Sequence, residues 1–471
     1  MSLQLYIYEK MKSALGFSPT SCQERLFETL ASFMVNRSGA DIMLINGYAG
    51  TGKTSSIYSL ITMMEEFKLS YVLLAPTGRA AKVLSGYTGK KAHTIHKKIY
   101  RQKSLKDGIG HFTLDINKSK DTVFIVDEAS LISSGQNDNA LFGSGNLLDD
   151  LVTYARSNDN NKLILIGDSA QLPPVGERMS RALDVDSLSG YGPVESVTLS
   201  SVIRQAQDSG ILHNATILRK MIEQEDGGFP KFRVQGFGDV SRITGGDLIE
   251  SLSDSFDSPG MDETLVVCRS NRQANRYNMG IRSKLLYREE QINRGDKVMV
   301  VKNCYQFLEE VEDMDFIANG DVAELLKISN YEERYGLNFA QATLRFPDYN
   351  DIEISAKVIL DTLGSESANL GAEQSRNLYS AIFEDYDHIK SKRKRVVAVR
   401  EDKYFNALQI KYSSAITVHK SQGGQWKCVY IDNPFYKGEI TTEDLKWLYT
   451  AITRAVDKVY FVNFDDRFFE K

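Results

Sequence analysis

Cysteine is scarce in this chain and does not cluster: Cys22, Cys268, Cys304 and Cys428 are scattered through 471 residues with no C-x-x-C pair. That spacing supports neither a zinc site nor a disulfide framework, and the four are expected as reduced core thiols. Long hydrophobic runs are missing too. No stretch of 18 uncharged apolar residues occurs, and no charged-then-apolar leader with a small-residue cleavage site. Neither a membrane span nor an export signal is therefore expected, and the compartment implied is the cytoplasm. Positive charge is not in excess, since the formal net charge is −5, which by itself argues against a nucleic-acid partner. Short-period repeats are absent, and low complexity is confined to polar loops such as "SSGQNDN".

What is present is ordinary globular material, 42% hydrophobic and 25% charged, enough for about two to four domains. The charge is unevenly spread. From Lys90 to Asp107, "KKAHTIHKKIYRQKSLKD" carries seven Lys or Arg against one acid, and "KSKRKR" runs from Lys390 to Arg395 after an expected helix. A basic run is usually a solvated face. Yet phosphate binding depends on local field and counterion release, so an acidic average is compatible with a basic channel.

The first half alternates short apolar strands with helical segments: "DIMLING", "SYVLLAPT", "TVFIVDEA" and "NKLILIGD". This pattern argues a parallel sheet covered on both faces. A second unit of the same kind starts at "TLVVCRSN" near residue 264, gives way to short strands from about 296 to 412, and resumes at "SSAITVHKSQGG" and "CVYIDN". Within the interruption, Ala372 to Lys392 reads as one helix with a basic tail. The expected fold class is α/β, two doubly wound parallel-sheet domains in tandem, the second carrying a β-rich insertion.

The stretch from Asn46 to Ser55, "NGYAGTGKTS", joins an apolar strand to an amphipathic helix. A glycine-rich turn there points successive N–H groups into one hollow at a helix N-terminus, which favours an anion. The spacing matches the P-loop pattern G-x-x-x-x-G-K-[ST]. Candidate nucleotide contacts are Gly47, Gly50, Thr51, Gly52, Lys53, Thr54 and Ser55; Lys53 would reach the terminal phosphates and the Thr54 hydroxyl would ligate Mg²⁺. Further polar residues end other strands. Asp127 would hold Mg²⁺ through water, Glu128 would activate the attacking water, and Gln171 after Asp168 could sense a γ-phosphate. Arg204 in "LSSVIRQ" and Arg454 in "LYTAITRA" are candidates for stabilising transition-state charge once a cleft is shut.

The ordered set "GYAGTGKT", "APTGRAAKVL", "AHTIH", "FIVDEAS", "GDSAQLPPVG", "VIRQ", "TVHKSQGGQW" and "YTAITRA" closely resembles the helicase motifs of superfamily 1. Within it, "APTGRAA", "GDSAQLPPVG" and "TVHKSQG" look like the RecD and Dda group, superfamily 1B, which moves 5′ to 3′ on single-stranded DNA. The resemblance runs from about Gln23 to Arg454. It implies that Gln23 reads adenine and that Lys53, Thr54, Asp127, Glu128, Gln171, Arg204, Gly424 and Arg454 form an ATP site with Mg²⁺. It further implies RecA-like domains, a small SH3-like domain as the insertion, and a pin hairpin at "LKDGIG" with His111 or Phe112 stacking on a base.

Candidate strand contacts in the first domain are Pro76, Thr77, Arg79, His93, Thr94, His96 and Phe112. Asn271, Thr417, His419 and Lys420 are their counterparts in the second. The Thr77 hydroxyl and nearby helix-start amides suit a phosphate. The domains expected are 1–88, 122–262 for the first RecA-like unit with the hairpin at 89–121, then 263–295 and 413–471 for the second with the insertion at 296–412. No long domain precedes Gln23 and no acidic nuclease cluster appears, which fits a stand-alone, monomeric Dda-like enzyme. Its partners would be single-stranded DNA, tailed duplex, and replication or repair proteins, with no membrane. The rivals are an RNA-directed translocase and a nucleotide-gated single-strand-binding switch that hydrolyses too slowly to move.

Overall fold

The computed structural model describes residues 2–36, 39–102, 112–135, 143–203, 208–304, 317–436 and 438–470. Its first half contains β1 (Ile42–Gly47), β2 (Ser70–Ala75), β3 (Ala92–Thr94), β4 (Tyr100–Gln102), β5 (Phe112–Leu114), β6 (Thr122–Val126), β7 (Lys162–Gly167) and β8 (Val194–Leu199). Six of these form a parallel sheet in the order β3-β2-β6-β7-β1-β8, while β4 and β5 pair antiparallel with Gln102 opposite Phe112. Alternation along β1 explains the two-sided cover. Met43 and Ile45 join one core with α1 (Leu3–Ala14), α2 (Ser21–Val35), α3 (Lys53–Glu66) and α4 (Gly78–Thr88). Ile42 and Leu44 join another with Phe124, Leu165 and the helix Leu147–Arg156. Each large apolar side chain removed from water in this way contributes about 1.5–3 kcal/mol.

The second half contains β9 (Val240–Ile243), β10 (Thr264–Cys268), β11 (Lys297–Val300), β12 (Val322–Arg334), β13 (Leu337–Phe346), β14 (Ile352–Ile359), β15 (Leu408–Tyr412), β16 (Ala415–Thr417), β17 (Trp426–Asp432) and β18 (Ala455–Val462). A parallel sheet runs β16-β10-β17-β18-β9, and β11 to β15 close into a barrel. The barrel is antiparallel except where β14 meets β15. The architecture is thus two parallel-sheet α/β lobes, with the barrel inserted into the second.

Three expectations are corrected. The range 122–262 does not belong to one domain, because β9 pairs with β18 as the edge of the second sheet, and the helix Gly210–Glu223 buries Ile211, Ala215 and Leu218 in the second lobe's core. Strand period shows which residues share a face but not which sheet a four-residue edge strand joins. The basic run is not a helix tail: the first helix ends at Asp385, and Lys392–Glu401 is a second helix capped by Ser391. Finally, Cys22 is half-exposed on α2 rather than in the core, whereas the other three thiols are buried.

Candidate active site

The loop between β1 and α3 is a tight cradle. Gly52 has a φ of +83°, and a Cβ on it would sit 2.6 Å from Gln23 Nε2, so the close approach and the left-handed backbone both demand glycine. Gly50 is also left-handed. Lys53, the first residue of α3, lies back over the loop, donating to the carbonyls of Gly47 and, at 3.1 Å, Tyr48. Its Nζ is 3.8 Å from the buried Asp168. Thr51 is buried, with its hydroxyl on the Tyr48 carbonyl at 2.7 Å, whereas Thr54 is exposed and Ser55 half-buried at the start of α3.

Carboxylates converge from the ends of β6 and β7. Asp127 accepts from its neighbour Glu128 N–H at 2.9 Å and from the Tyr87 hydroxyl at 2.7 Å. Burial pushes its pKa up, opposed by those two hydrogen bonds and by the charge of Lys53. Glu128 has a left-handed backbone, φ +54°, an unusual conformation for a side-chain-bearing residue that tends to be kept at functional positions. Burial raises its pKa as well, and the charge of Arg454 is the largest opposing influence. A carboxylate whose proton affinity is raised in this way is suited to taking a proton from water.

The second lobe supplies the other wall. The C-terminal helix Thr442–Ile452 carries Tyr449, whose hydroxyl accepts the Ala49 N–H of the loop at 2.8 Å and donates to Asp168 at 2.7 Å. Arg454 lies just beyond the cap of that helix, only 3% exposed, and donates to the carbonyls of Thr450 and Gly424, each at 3.0 Å. Gln422 donates to Leu172 O at 2.7 Å, and Leu172 N–H donates to Thr450 Oγ1 at 2.9 Å, stitching the lobes beside Gln171. Two buried amide atoms aim into this region without a partner, Gln23 Nε2 and Gln171 Oε1. Tyr449 stands inside "LYTAITRA" with no sequence signal of its own for this contact, and Asp168 reads in the sequence only as a strand end.

The candidate strand contacts fall on the carboxyl edges of both sheets. Leu74 is opposite His93 and Ala75 opposite Thr94, so Pro76 and Thr77 lie beside Thr94 at the first sheet's edge. Thr77 caps α4, accepting from Ala80 N–H at 3.2 Å, and Thr94 caps the short helix Ile95–Ile99 in the same way through Lys97 N–H at 3.2 Å. In the second sheet the edge strand β16 places Thr417 opposite Cys268, three residues before Asn271 opens the helix Asn271–Lys284. His419 is half-buried with its pKa lowered by burial, and Lys420 is pushed down to about 8 by burial and then by Lys411, with its Nζ 2.5 Å from Asn319 Oδ1.

Several candidates are placed otherwise than expected. Phe112 is only 6% exposed and packs in the core, because β5 turns that face inward, so it offers no open ring for a base. Arg79 lies across the lobes, its guanidinium 4.0 Å over the Trp426 ring and its Nη2 donating to Gln425 O at 3.0 Å. Gly424 is where that stack needs room, since a Cβ there would come within 2.5 Å of Trp426 and 2.7 Å of Arg79. His96 is partly buried, and burial lowers its pKa to about 4, so near neutral pH it carries no charge for a phosphate. Arg204 and His111 lie outside the described residues. Among the described residues, no group of three or more His, Cys, Asp or Glu is placed to hold a metal ion, and no helix is long and apolar enough to cross a membrane.

Residues 23–226 match the AAA domain family and residues 412–462 the UvrD-like helicase C-terminal domain. The chain is 25% identical over 456 residues to the ATP-dependent RecD2 DNA helicase of Deinococcus radiodurans, a match covering 94% of this chain and 50% of that one. It is 23% identical to an uncharacterised protein of Methanocaldococcus jannaschii, covering 92% and 37%. The chain thus spans half or less of the length of these two relatives. A solved structure of a Pif1 helicase from Bacteroides, in complex with ADP-AlF3 and single-stranded DNA, aligns at 14% identity and a TM-score of 0.48, covering 97% and 95%. The two family domains stand in this order on one chain, and the ordered motifs within them are those of a superfamily 1B helicase of the RecD and Dda group.

Proposed function

We propose that this protein is an ATP-dependent DNA helicase that moves 5′ to 3′ on single-stranded DNA and separates duplex ahead of it. The observation that carries the reading is the shared pocket: Arg454, anchored in the second lobe, bears on Glu128 of the first, and Tyr449 from the same end of that lobe reaches the loop of Lys53. Two lobes that jointly line one triphosphate site have their separation set by its occupancy, which is the requirement for a motor.

The residues fit a nucleotide. The glycine cradle, the unpartnered Gln23 Nε2 on the adenine side and the unpartnered Gln171 Oε1 at the strand end are what such a ligand would satisfy. When bound, Mg-ATP supplies the phosphoanhydride whose hydrolysis drives the cycle. Lys53 and the loop amides from Gly50 to Ser55 would hold the phosphates, and Thr54 and Asp127 the cation. Glu128 takes the proton of the attacking water, while Arg454 offsets developing charge; Arg204 shares that assignment.

Strand grips are assigned to the two sheet edges. Pro76, Thr77, His93 and Thr94 serve one lobe and Asn271, Thr417, His419 and Lys420 the other. The β4–β5 hairpin within 89–121 acts as the pin and the barrel within 296–412 as an SH3-like domain; the first lobe ends before residue 208. Contacts to backbone and stacked faces give low sequence specificity and strong salt dependence. The test is unwinding of duplexes with a 5′ or a 3′ single-stranded tail, with ATP omitted as control and RNA-tailed duplexes alongside. ATP-dependent opening of the 5′-tailed DNA alone is expected. Opening from the 3′ tail, stronger action on RNA, or hydrolysis without opening would overturn polarity, substrate or motor respectively.

A further inference from the structure

Helix α4 touches three functionally different places. At its start Thr77 caps it on the carboxyl edge of β2, where the strand contact is proposed. Midway, Lys82 Nζ donates to Pro347 O at 2.9 Å and pairs with Asp348 at 3.2 Å, so the turn between β13 and β14 of the barrel rests on it. Near its end Tyr87, half-buried, donates to Asp127 Oδ2 at 2.7 Å.

The last contact is more than packing. A phenylalanine would fill the same space, whereas the Tyr87 hydroxyl selects Asp127 and, with the Glu128 N–H on the other oxygen, fixes the rotation of that carboxylate. Each oxygen still keeps a lone pair, which is what a hydrated cation requires. Thr77 and Tyr87 stand at opposite ends of one α-helix of 11 residues, joined by its continuous ladder of backbone hydrogen bonds. A hydrogen bond of 2.7 Å between phenol and carboxylate tolerates only small changes before it weakens.

We propose that Tyr87 is a positioning residue for the cation-holding carboxylate and that α4 is the rod by which strand contact at Thr77 reaches Asp127. This rests on the reading of Asp127 as the cation ligand given above. The first lobe's own grip on the strand would thereby set how well the nucleotide site holds its metal, before any hydrolysis.

The test is a titration of the full chain with a fluorescent ADP, with and without Mg²⁺ and with and without oligothymidylate. In Tyr87→Phe the Mg²⁺-free affinity is expected to stay unchanged while the Mg²⁺ midpoint rises about tenfold. The strand-induced change in that midpoint, present in the native chain, should vanish. In an Asp127→Asn background, Tyr87→Phe should add nothing, since the two act as one unit. A native midpoint in Tyr87→Phe, an undiminished effect in the Asp127→Asn background, or a native chain whose midpoint ignores the strand overturns the proposal. Failure of the native chain to bind the ADP at all would instead overturn the nucleotide-site reading, and the proposal with it.

Discussion

Lys53 and Arg454 are both cations of the same pocket, yet they are held in opposite ways. Lys53 lies on the carbonyls of its own loop, Gly47 and Tyr48, with a fifth of its side chain exposed. Arg454 is 3% exposed and clamped by the carbonyls of Thr450 and Gly424, a lobe away from the carboxylate its charge influences. A group held by its immediate neighbours can act in the first lobe alone. One held by the other lobe acts only when both lobes are in place. On the function proposed above, binding and turnover would be divided between the halves of the chain.

The most direct way to break that division is to remove each cation. Lys53→Ala should lower nucleotide affinity by about a hundredfold or more, because a charge-assisted contact to the phosphates is lost. Arg454→Ala should leave affinity within about threefold and cut strand-stimulated turnover by about 10³-fold, the usual loss for an arginine supplied to transition-state charge. Equal losses of affinity in the two variants, read by nucleotide titration beside steady-state hydrolysis, would erase the distinction between them.

A smaller effect sharpens it. Tyr449→Phe leaves the Ala49 N–H and an Asp168 oxygen without their buried partner, at a cost of about 1–3 kcal/mol in the contact between lobes. The thermal midpoint should fall, and limited proteolysis should show the lobes parting more readily. An unchanged midpoint would mean that the hydroxyl does not hold the lobes together.

The smallest effect concerns the barrel. Asp321 accepts from Ala318 N–H at 2.7 Å and from the Tyr349 hydroxyl at 3.0 Å, and burial pushes its pKa from 3.8 up to about 7. Its proton is thus bound more tightly in the folded protein than in the unfolded chain. The stabilisation is complete below about pH 4 and is lost as pH rises through about 7. Asp321→Asn should flatten the dependence of the thermal midpoint across that window, and a slope equal to that of the native chain would rule out Asp321 as its source.

The contrast extends to how each residue could be found. Lys53, Thr54, Asp127 and Glu128 stand next to short apolar strands, and strand, glycine turn and helix follow from neighbours a few residues apart. Their spacing alone points at phosphate chemistry. The alternation of apolar runs likewise sufficed for two parallel sheets with a β-rich interruption, since period two and strand length are local properties. Asp321 ends the short stretch "ANGD" and Tyr349 lies in no motif; their pairing arises only where β12, β13 and β14 are brought side by side.

Other roles depended on packing over hundreds of positions. That β9 belongs beside β18, that Arg79 lies on Trp426 and not in the open, that Phe112 turns inward, and that Tyr449 seats in the loop at Ala49 are all consequences of which surfaces meet. A chain's local pattern states what each residue can do with its neighbours. Burial, desolvation and the choice of hydrogen-bond partner are settled by residues far away in the chain, and those are what separate a loop that can hold a phosphate from a pocket closed by two lobes.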